Sequence, residues 1–247
     1  MVLSDPLFLA LAIAAAFAVG LSKGGLPAVG SLAVPLMALS ISPVAAAGML
    51  LPIYVGSDLI GLWLYRHKFS GRNLAILIPA GLLGVLIGWA TAEKISTDHV
   101  MLLVGLVGLF YCINSIFTKP GMPPKEASVA PGLFWGAFSG FSSFVAHSGA
   151  GPYQVYVLPQ RLEKMVFAGT STILFAAINF AKLLPYWYLG ELSRDNAKIT
   201  LLLLPVAIVG AVFGARAMKV IPDLVFFRAV KIVLAVVSAK LVYDSLS

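Results

Sequence analysis

Residues 20–35 read GLSKGGLPAVGSLAVP and separate two apolar runs. The stretch places Lys23 directly before Gly24 and Gly25, with a proline and a further glycine close behind. Glycine and proline prevent a continuous helix, so backbone amides and an ammonium group would meet at membrane depth. Non-helical backbone is tolerated at that depth only where protein buries it or where it lines a cavity. The stretch is therefore a predicted binding site.

The composition is that of a membrane protein. Of 247 residues, 60% are hydrophobic and 11% are charged, whereas soluble domains carry about 25% charged residues. The net charge of +7 arises from basic residues at the ends of apolar runs, which indicates membrane topology and not nucleic-acid binding. A single cysteine, Cys112, excludes an internal disulfide and a multi-cysteine metal site. We expect one integral membrane domain without a metal ion or cofactor.

Apolar segments follow one another along the whole chain, and a bilayer crossing needs about 20 residues. Four segments are shorter than this and form two adjacent pairs, each joined by a glycine- and proline-rich turn. The short pairs are 6–22 with 27–40 and 130–146 with 150–160, and the long segments are 43–66, 72–93, 98–118, 163–189, 196–219 and 223–245.

The sequence also contains an internal repeat. Glycines, prolines and polar residues agree at two fixed spacings, which indicates duplicated backbone geometry. We predict an all-α polytopic membrane protein built of two inverted repeats, 1–118 and 130–247, joined by the proline-rich linker 119–129. Each repeat is a short broken-helix hairpin followed by three transmembrane helices. A shift of 121 residues pairs Gly30 with Gly151, Gly48 with Gly169, Asp58 with Asn179 and Tyr65 with Tyr186, and a shift of 126 pairs Pro79 with Pro205, Gly84 with Gly210 and Gly88 with Gly214.

The distribution of basic residues favours opposite orientations of the two repeats. If each short pair returns to its starting side, the loop cations divide nine to four between the two membrane faces, and both termini lie outside the cytoplasm. If each pair is one broken helix, the same cations divide eight to five. The preferred inner set is Arg66, Lys68, Arg72, Lys119, Lys125, Arg161, Lys164, Arg216 and Lys219, against Lys94, Arg194, Lys198 and Lys240.

Charged residues inside the apolar segments need a partner, a cavity or access to the interface. Arg228 and Lys231 lie toward one end of their segment and are expected to extend to the interface. Lys182 follows Asn179 by three residues, so both side chains lie on one helix face. One interpretation of Asp58 is a buried structural ion pair with Lys23 or Lys182.

The second glycine-rich join, AHSGAGP, begins at Ala146 and adds a histidine and a serine. Half-helix N-termini carry free N–H groups and partial positive charge, which favour an oxyanion. With the two lysines, the predicted centre is a positive pocket rich in hydrogen-bond donors. Candidate coupling residues are Asp58 and His147, and the predicted substrate-binding residues are Ser22, Lys23, Gly24, Gly25, Gly30, Ser31, His147, Ser148, Gly149, Gly151, Gln154, Thr170, Ser171, Asn179 and Lys182.

Enzyme chemistry is disfavoured. His147 and Ser148 are adjacent in the chain and lack the strand–turn–helix context of a serine nucleophile. The sequence has no HExxH motif and no clustered acidic pair. No catalytic residue is predicted.

At these residues the chain resembles the TauE/SafE family of membrane anion exporters. The resemblance is carried by GLSKGGLPAVGSLAVPL at 20–36, SGAGPYQVYVLP at 148–159 and FAGTSTILFAAINFAKLLPYWYLG at 167–190. It implies export of sulfite, an organosulfonate or a related anion across the inner membrane of a bacterium, energised by an ion gradient. The residue pattern itself indicates an anion and inverted copies but does not indicate sulfur.

The favoured hypothesis is a secondary transporter that works by alternating access. Its expected partners are a small anion, the lipid bilayer and a coupling ion, with H⁺ as the candidate. One alternative is an uncoupled anion channel of the same fold. Another is a non-transporting membrane scaffold, in which Lys23, Asp58 and Lys182 only pair with one another.

Overall fold

The computed structural model describes residues 5–92, 94–117, 123–192 and 194–246. These residues form an all-helical protein with no strand. Part of the predicted linker, residues 119–122, lies outside the described residues. The helices are α1 (Pro6–Lys23), α2 (Pro27–Gly30), α3 (Ala33–Ala38), α4 (Pro43–Tyr65), α5 (Gly71–Thr91), α6 (Thr97–Phe117), α7 (Val129–Ala146), α8 (Ala150–Val157), α9 (Lys164–Tyr188), α10 (Arg194–Val220) and α11 (Asp223–Leu246).

Several helices begin at the capping signals of the sequence. The Asp5 carboxylate accepts a hydrogen bond from the Leu7 N–H at 2.9 Å at the start of α1. The hydroxyls of Ser42 and Ser70 likewise accept hydrogen bonds from backbone N–H groups at the starts of α4 and α5. Such caps satisfy N–H groups that have no partner inside the helix.

Seven described helices are long and apolar enough to cross a membrane: α1, α4, α5, α6, α7, α9 and α10. Helix α11 is of similar length but carries several charged side chains, among them Arg228, Lys231 and Lys240. Large apolar side chains such as Phe110 and Leu201 are exposed on the outer surface, as expected for a surface that faces lipid.

The predicted short segment 27–40 contains two short helices, α2 and α3. The chain turns at Ser31 and Leu32 and begins a separate helix, α3, at Ala33. The Tyr54 hydroxyl of α4 donates to the carbonyl of Gly30 at 2.6 Å, so a side chain takes the place of a donor from the next helical turn.

The helices pack in matched pairs. Helix α1 packs against α10 as α7 packs against α5, and α4 packs against α9 while α6 packs against α11. In the predicted repeat, α1 corresponds to α7, α4 to α9, α5 to α10 and α6 to α11. The packing therefore agrees with a two-fold relation between the halves, and the inverted orientation in the membrane stays a prediction.

Individual contacts repeat in the same way. A Cβ on Gly20 would collide with the backbone oxygen of Ala207, and a Cβ on Gly140 would collide with that of Gly81. Both glycines permit close helix contact because they lack a side chain. At the centre, Asp58 and Asn179 are 121 residues apart and hydrogen bonded to each other. Residues at corresponding positions meet in this way where a two-fold axis passes between them.

Candidate functional site

The first helix break, residues 23–31, is called the first tip below. Helix α1 ends at Lys23, and Gly25 adopts a φ of +129°, a conformation that side chains other than glycine rarely adopt. The hydroxyl of Tyr65 donates to the carbonyl of Gly24 at 2.7 Å. Helix α4 therefore holds the end of α1 in place.

The second helix break, residues 146–150, is called the second tip. Helix α7 ends at Ala146, and His147 adopts a left-handed conformation with a φ of +51°. Its N–H donates to the carbonyl of Ser143 at 3.1 Å and closes the helix. The hydroxyl of Ser148 donates to the Ala146 carbonyl at 2.9 Å. A left-handed residue other than glycine is uncommon, and here it turns a histidine into the protein centre.

The two tips, together with residues of α1, α4, α7 and α9, line a cavity of about 30 Å³. An enclosed water needs about 10–15 Å³, so the space corresponds to about two water molecules. Its lining combines eight of the predicted site residues with six others. The lining residues are Ser22, Lys23, Pro27, Gly30, Ser31, Tyr54, Ser143, His147, Gly149, Ala150, Ser171, Thr172, Phe175 and Asn179.

The charge of Lys23 is balanced by Asp58. The ammonium lies 2.7 Å from the Asp58 Oδ1 atom, and the two side chains are 4% and 0% exposed. Asn179 donates from Nδ2 to Asp58 Oδ2 at 2.8 Å. The ammonium also lies 5.0 Å from the ring centroid of Tyr54. Of the two partners considered for Asp58, the structure therefore selects Lys23.

Lys182 has no such counter-ion. Its side chain is fully buried, and no carboxylate of the described residues lies within ion-pair distance. The ammonium donates to the Ser143 carbonyl at 2.7 Å and lies 3.2 Å from the His147 Nδ1 atom. The hydroxyl of Tyr186 lies 3.3 Å from His147 Nε2 and donates to the Phe144 carbonyl at 2.8 Å. Lys182 thus stands behind His147, which separates it from the cavity.

The buried centre therefore carries one more positive than negative charge when both lysines are protonated. An unpaired charge in a dry interior is costly, and a bound anion would remove that cost. The N-terminus of α8 adds partial positive charge at the cavity, since Gly149 and Ala150 form part of its lining.

Other predicted site residues lie outside the lining. Gly24 faces Gly214 of α10, and a Cβ on Gly151 would contact Val104 of α6. Gly25 likewise faces α10. These glycines allow close helix packing on the outer sides of the tips.

Two polar members of the predicted set also lie outside the lining. Thr170 accepts a hydrogen bond from the Ser70 N–H at 2.9 Å and donates to the Val166 carbonyl, so its hydroxyl joins α9 to the start of α5. Gln154 is fully buried, and neither side-chain polar atom has a hydrogen-bond partner within the described part of the chain. Such an orphaned amide is unusual in a folded protein.

Sequence reasoning missed the lining residues Pro27, Tyr54, Ser143, Ala150, Thr172 and Phe175. A signal existed for two of them. Thr172 and Phe175 precede Asn179 by seven and four residues, so they share its helix face. Tyr54 and Ser143 had no comparable signal, because their place in the lining depends on how α4 and α7 pack.

Taken together, the apolar helices, the two facing helix breaks and the buried polar centre define a polytopic membrane protein of the transporter class. The family model for the sulfite exporter TauE/SafE matches residues 12–241, which is nearly the whole chain. The chain belongs to the TauE/SafE family of membrane sulfite exporters. No curated protein and no solved structure matches it.

Proposed function

We propose that this protein is a secondary transporter that exports a small sulfur oxyanion, such as sulfite or an organosulfonate, across the inner membrane of a bacterium by alternating access. The observation that carries the proposal is the fully buried Lys182, which has no acidic partner among the described residues and stands beside His147 at the second tip. Membership of the TauE/SafE family supports the substrate class.

The substrate contacts follow from the geometry of the cavity. His147 lies between the Lys182 ammonium and the cavity and faces the anion with its imidazole ring. Ser31 and Ser171 supply hydroxyl groups in the lining. The N-terminus of α8 adds amide donors on the same side. An oxyanion held here exchanges its water shell for fixed donors.

Access has to change for the anion to bind. A space of about two water molecules is too small for an anion of four or more heavy atoms. The tips must separate before the anion enters, and the packed pairs α1–α10 and α5–α7 provide two units that can rock about the α4–α9 contact.

Proton coupling is proposed at Asp58. While the carboxylate is ionised it holds Lys23 at 2.7 Å, and protonation would release that ammonium toward the cavity. Proton and anion binding then assist each other, so both move in the same direction. A divalent anion that leaves with one proton still carries one negative charge outward, and the inside-negative membrane potential contributes about 2.3 kcal/mol per 100 mV to that movement.

The flux of labelled sulfite from proteoliposomes tests the proposal. We expect Lys182→Gln to lower the apparent anion affinity by about tenfold, since a buried charge that acts on the anion across His147 contributes about 1–2 kcal/mol. The matched control is Lys219→Gln, which removes an exposed lysine of α10 and should leave flux unchanged. Unchanged flux in Lys182→Gln would overturn the assignment of charge.

The same assay addresses the coupling and the two alternatives. With an organosulfonate, which does not titrate near neutral pH, anion affinity should fall as pH rises, and Asp58→Asn should remove this dependence. An uncoupled channel would instead show flux that does not saturate. A scaffold would show no flux. That alternative predicts the Lys23–Asp58 ion pair, but it does not account for Lys182, which has no acidic partner among the described residues.

A further inference from the structure

A second cavity shares no lining residue with the first. It is a groove of about 1110 Å³ between the ends of α6 and α11, floored by α8 and the turn that follows it, and is called the α6–α11 groove below. Pockets for drug-sized ligands measure about 300–1,000 Å³, so this one suits a larger ligand. Its lining comprises Leu106, Val107, Phe110, Tyr111, Asn114, Ser115, Pro123, Lys125, Trp135, Val155, Leu158, Pro159, Arg161, Asp223, Leu224, Phe227 and Lys231.

The charged residues of this lining are mostly basic. Lys125, Arg161 and Lys231 have no acidic partner within the described part of the chain. The acidic member, Asp223, is already paired with Lys164 outside the groove at 3.0 Å. The groove therefore presents three uncompensated positive charges.

Two of these cations are held by backbone contacts at the turn after α8. The N–H of Lys125 donates to the Pro159 carbonyl at 3.0 Å, which attaches the linker to the turn after α8. Arg161 follows that turn and adopts a left-handed conformation with a φ of +51°. Residues other than glycine held in this sparsely populated conformation cluster at functional sites.

The third cation lies deeper. Lys231 is eight residues into α11, about 12 Å from the helix start at 1.5 Å per residue. The structure places this side chain on the groove wall, and its extension to the interface stays a prediction. A cation at this depth needs a polar or anionic partner.

The remaining wall is largely apolar and is partly exposed on the protein surface. Leu106, Phe110 and Leu224 are 50%, 73% and 71% exposed. We propose that the α6–α11 groove binds one anionic phospholipid, with its phosphate at Lys125, Arg161 and Lys231 and an acyl chain along this wall. Basic pockets between transmembrane helices suit anionic head groups.

The chemistry favours a lipid over a free anion. Inorganic phosphate would use the three cations but would leave the apolar wall exposed, and a groove of this size would stay mostly empty. A phospholipid satisfies both parts of the groove at once, and the bilayer supplies it at high local concentration.

Native mass spectrometry of the purified protein with added lipid tests the site. Phosphatidylglycerol should bind more tightly than phosphatidylcholine, which carries the same phosphate but no net charge. Each cation changed to glutamine should lower the affinity for phosphatidylglycerol about fivefold. Leu106→Trp, which keeps all three cations and fills the apolar wall, should also lower it. Inorganic phosphate should not compete.

The matched control for changing all three groove cations together is the triple variant Lys68→Gln, Arg216→Gln, Lys219→Gln, which removes three charges from exposed positions outside the groove. It should bind phosphatidylglycerol as wild type does. Equal loss in this control would show a general charge effect and would overturn the proposal. Equal binding of the two lipids would overturn it too, as would competition by inorganic phosphate. The proposal would also fail if the groove variants changed the oligomeric state of the protein without losing bound lipid.

Discussion

The two tips share a tyrosine hydrogen bond to the broken helix but differ in chemistry. At the first, Tyr65 donates to the carbonyl of Gly24, and at the second, Tyr186 donates to the carbonyl of Phe144 at a nearly identical distance. Yet the first tip places its lysine on the hairpin and balances it with Asp58, while the second places its lysine on α9 without a counter-ion.

This difference separates two tasks. The duplicated tyrosine bonds hold each broken helix to the long helix that follows it, so they serve the fold of both halves. The lysines, unlike the tyrosines, do not lie at corresponding positions of the two halves. The residue that aligns with Lys182 is Gly61, and Gly61 lies beside Lys23. One cation therefore approaches the centre from each half, by a different route.

The largest expected effect is on folding stability at the first tip. Lys23→Met leaves the Asp58 carboxylate buried without its counter-ion, which should lower the free energy of unfolding by about 3–5 kcal/mol. Lys182→Met strands no acidic group and should leave the free energy of unfolding unchanged or higher. Chemical unfolding in detergent measures both.

A second substitution provides the control for this contrast. Adding Asp58→Leu to Lys23→Met removes the stranded carboxylate, so the double variant should recover most of the lost stability. The comparison fails if Lys182→Met is the more destabilising single change, because Lys182 would then have a partner as strong as Asp58.

The next effect tests whether the halves are packed alike. Gly20→Ala and Gly140→Ala each place a methyl group against backbone of the opposite half, and both should destabilise the protein by about 1–3 kcal/mol. Gly71→Ala is the matched control, since no atom lies within 4 Å of its Cβ. A large cost at one glycine alone would argue against matched packing.

Much of this architecture follows from local sequence, because helix breaks and helix starts depend on nearby residues. The segment predicted at 72–93 is α5 at Gly71–Thr91, and the break before Pro27 is where glycine and proline place it. The meeting of Lys23 and His147 at one cavity agrees with the repeat derived from sequence alone.

The contacts that the sequence did not predict depend on which way each residue faces in the packed structure. Alignment of the repeats pairs Gly30 with Gly151, but Gly30 lines the cavity and Gly151 packs against α6. The choice of Lys23 as the partner of Asp58 is also set by helix packing, since both lysines were compatible with the sequence. Local patterns do not specify such contacts between distant helices.

The smallest loss of stability should come from the tyrosines, and these two variants also distinguish a structural role from a role in anion binding. Tyr65→Phe and Tyr186→Phe each remove one buried hydrogen bond and should cost about 1 kcal/mol of unfolding free energy. Only the hydroxyl of Tyr186 also lies 3.3 Å from His147. Tyr186→Phe should therefore weaken anion binding in a thermal-shift titration with sulfite, while Tyr65→Phe should not. If both variants lost affinity equally, the hydroxyls would act through helix position alone, and the second tip would hold no special role in recognising the anion.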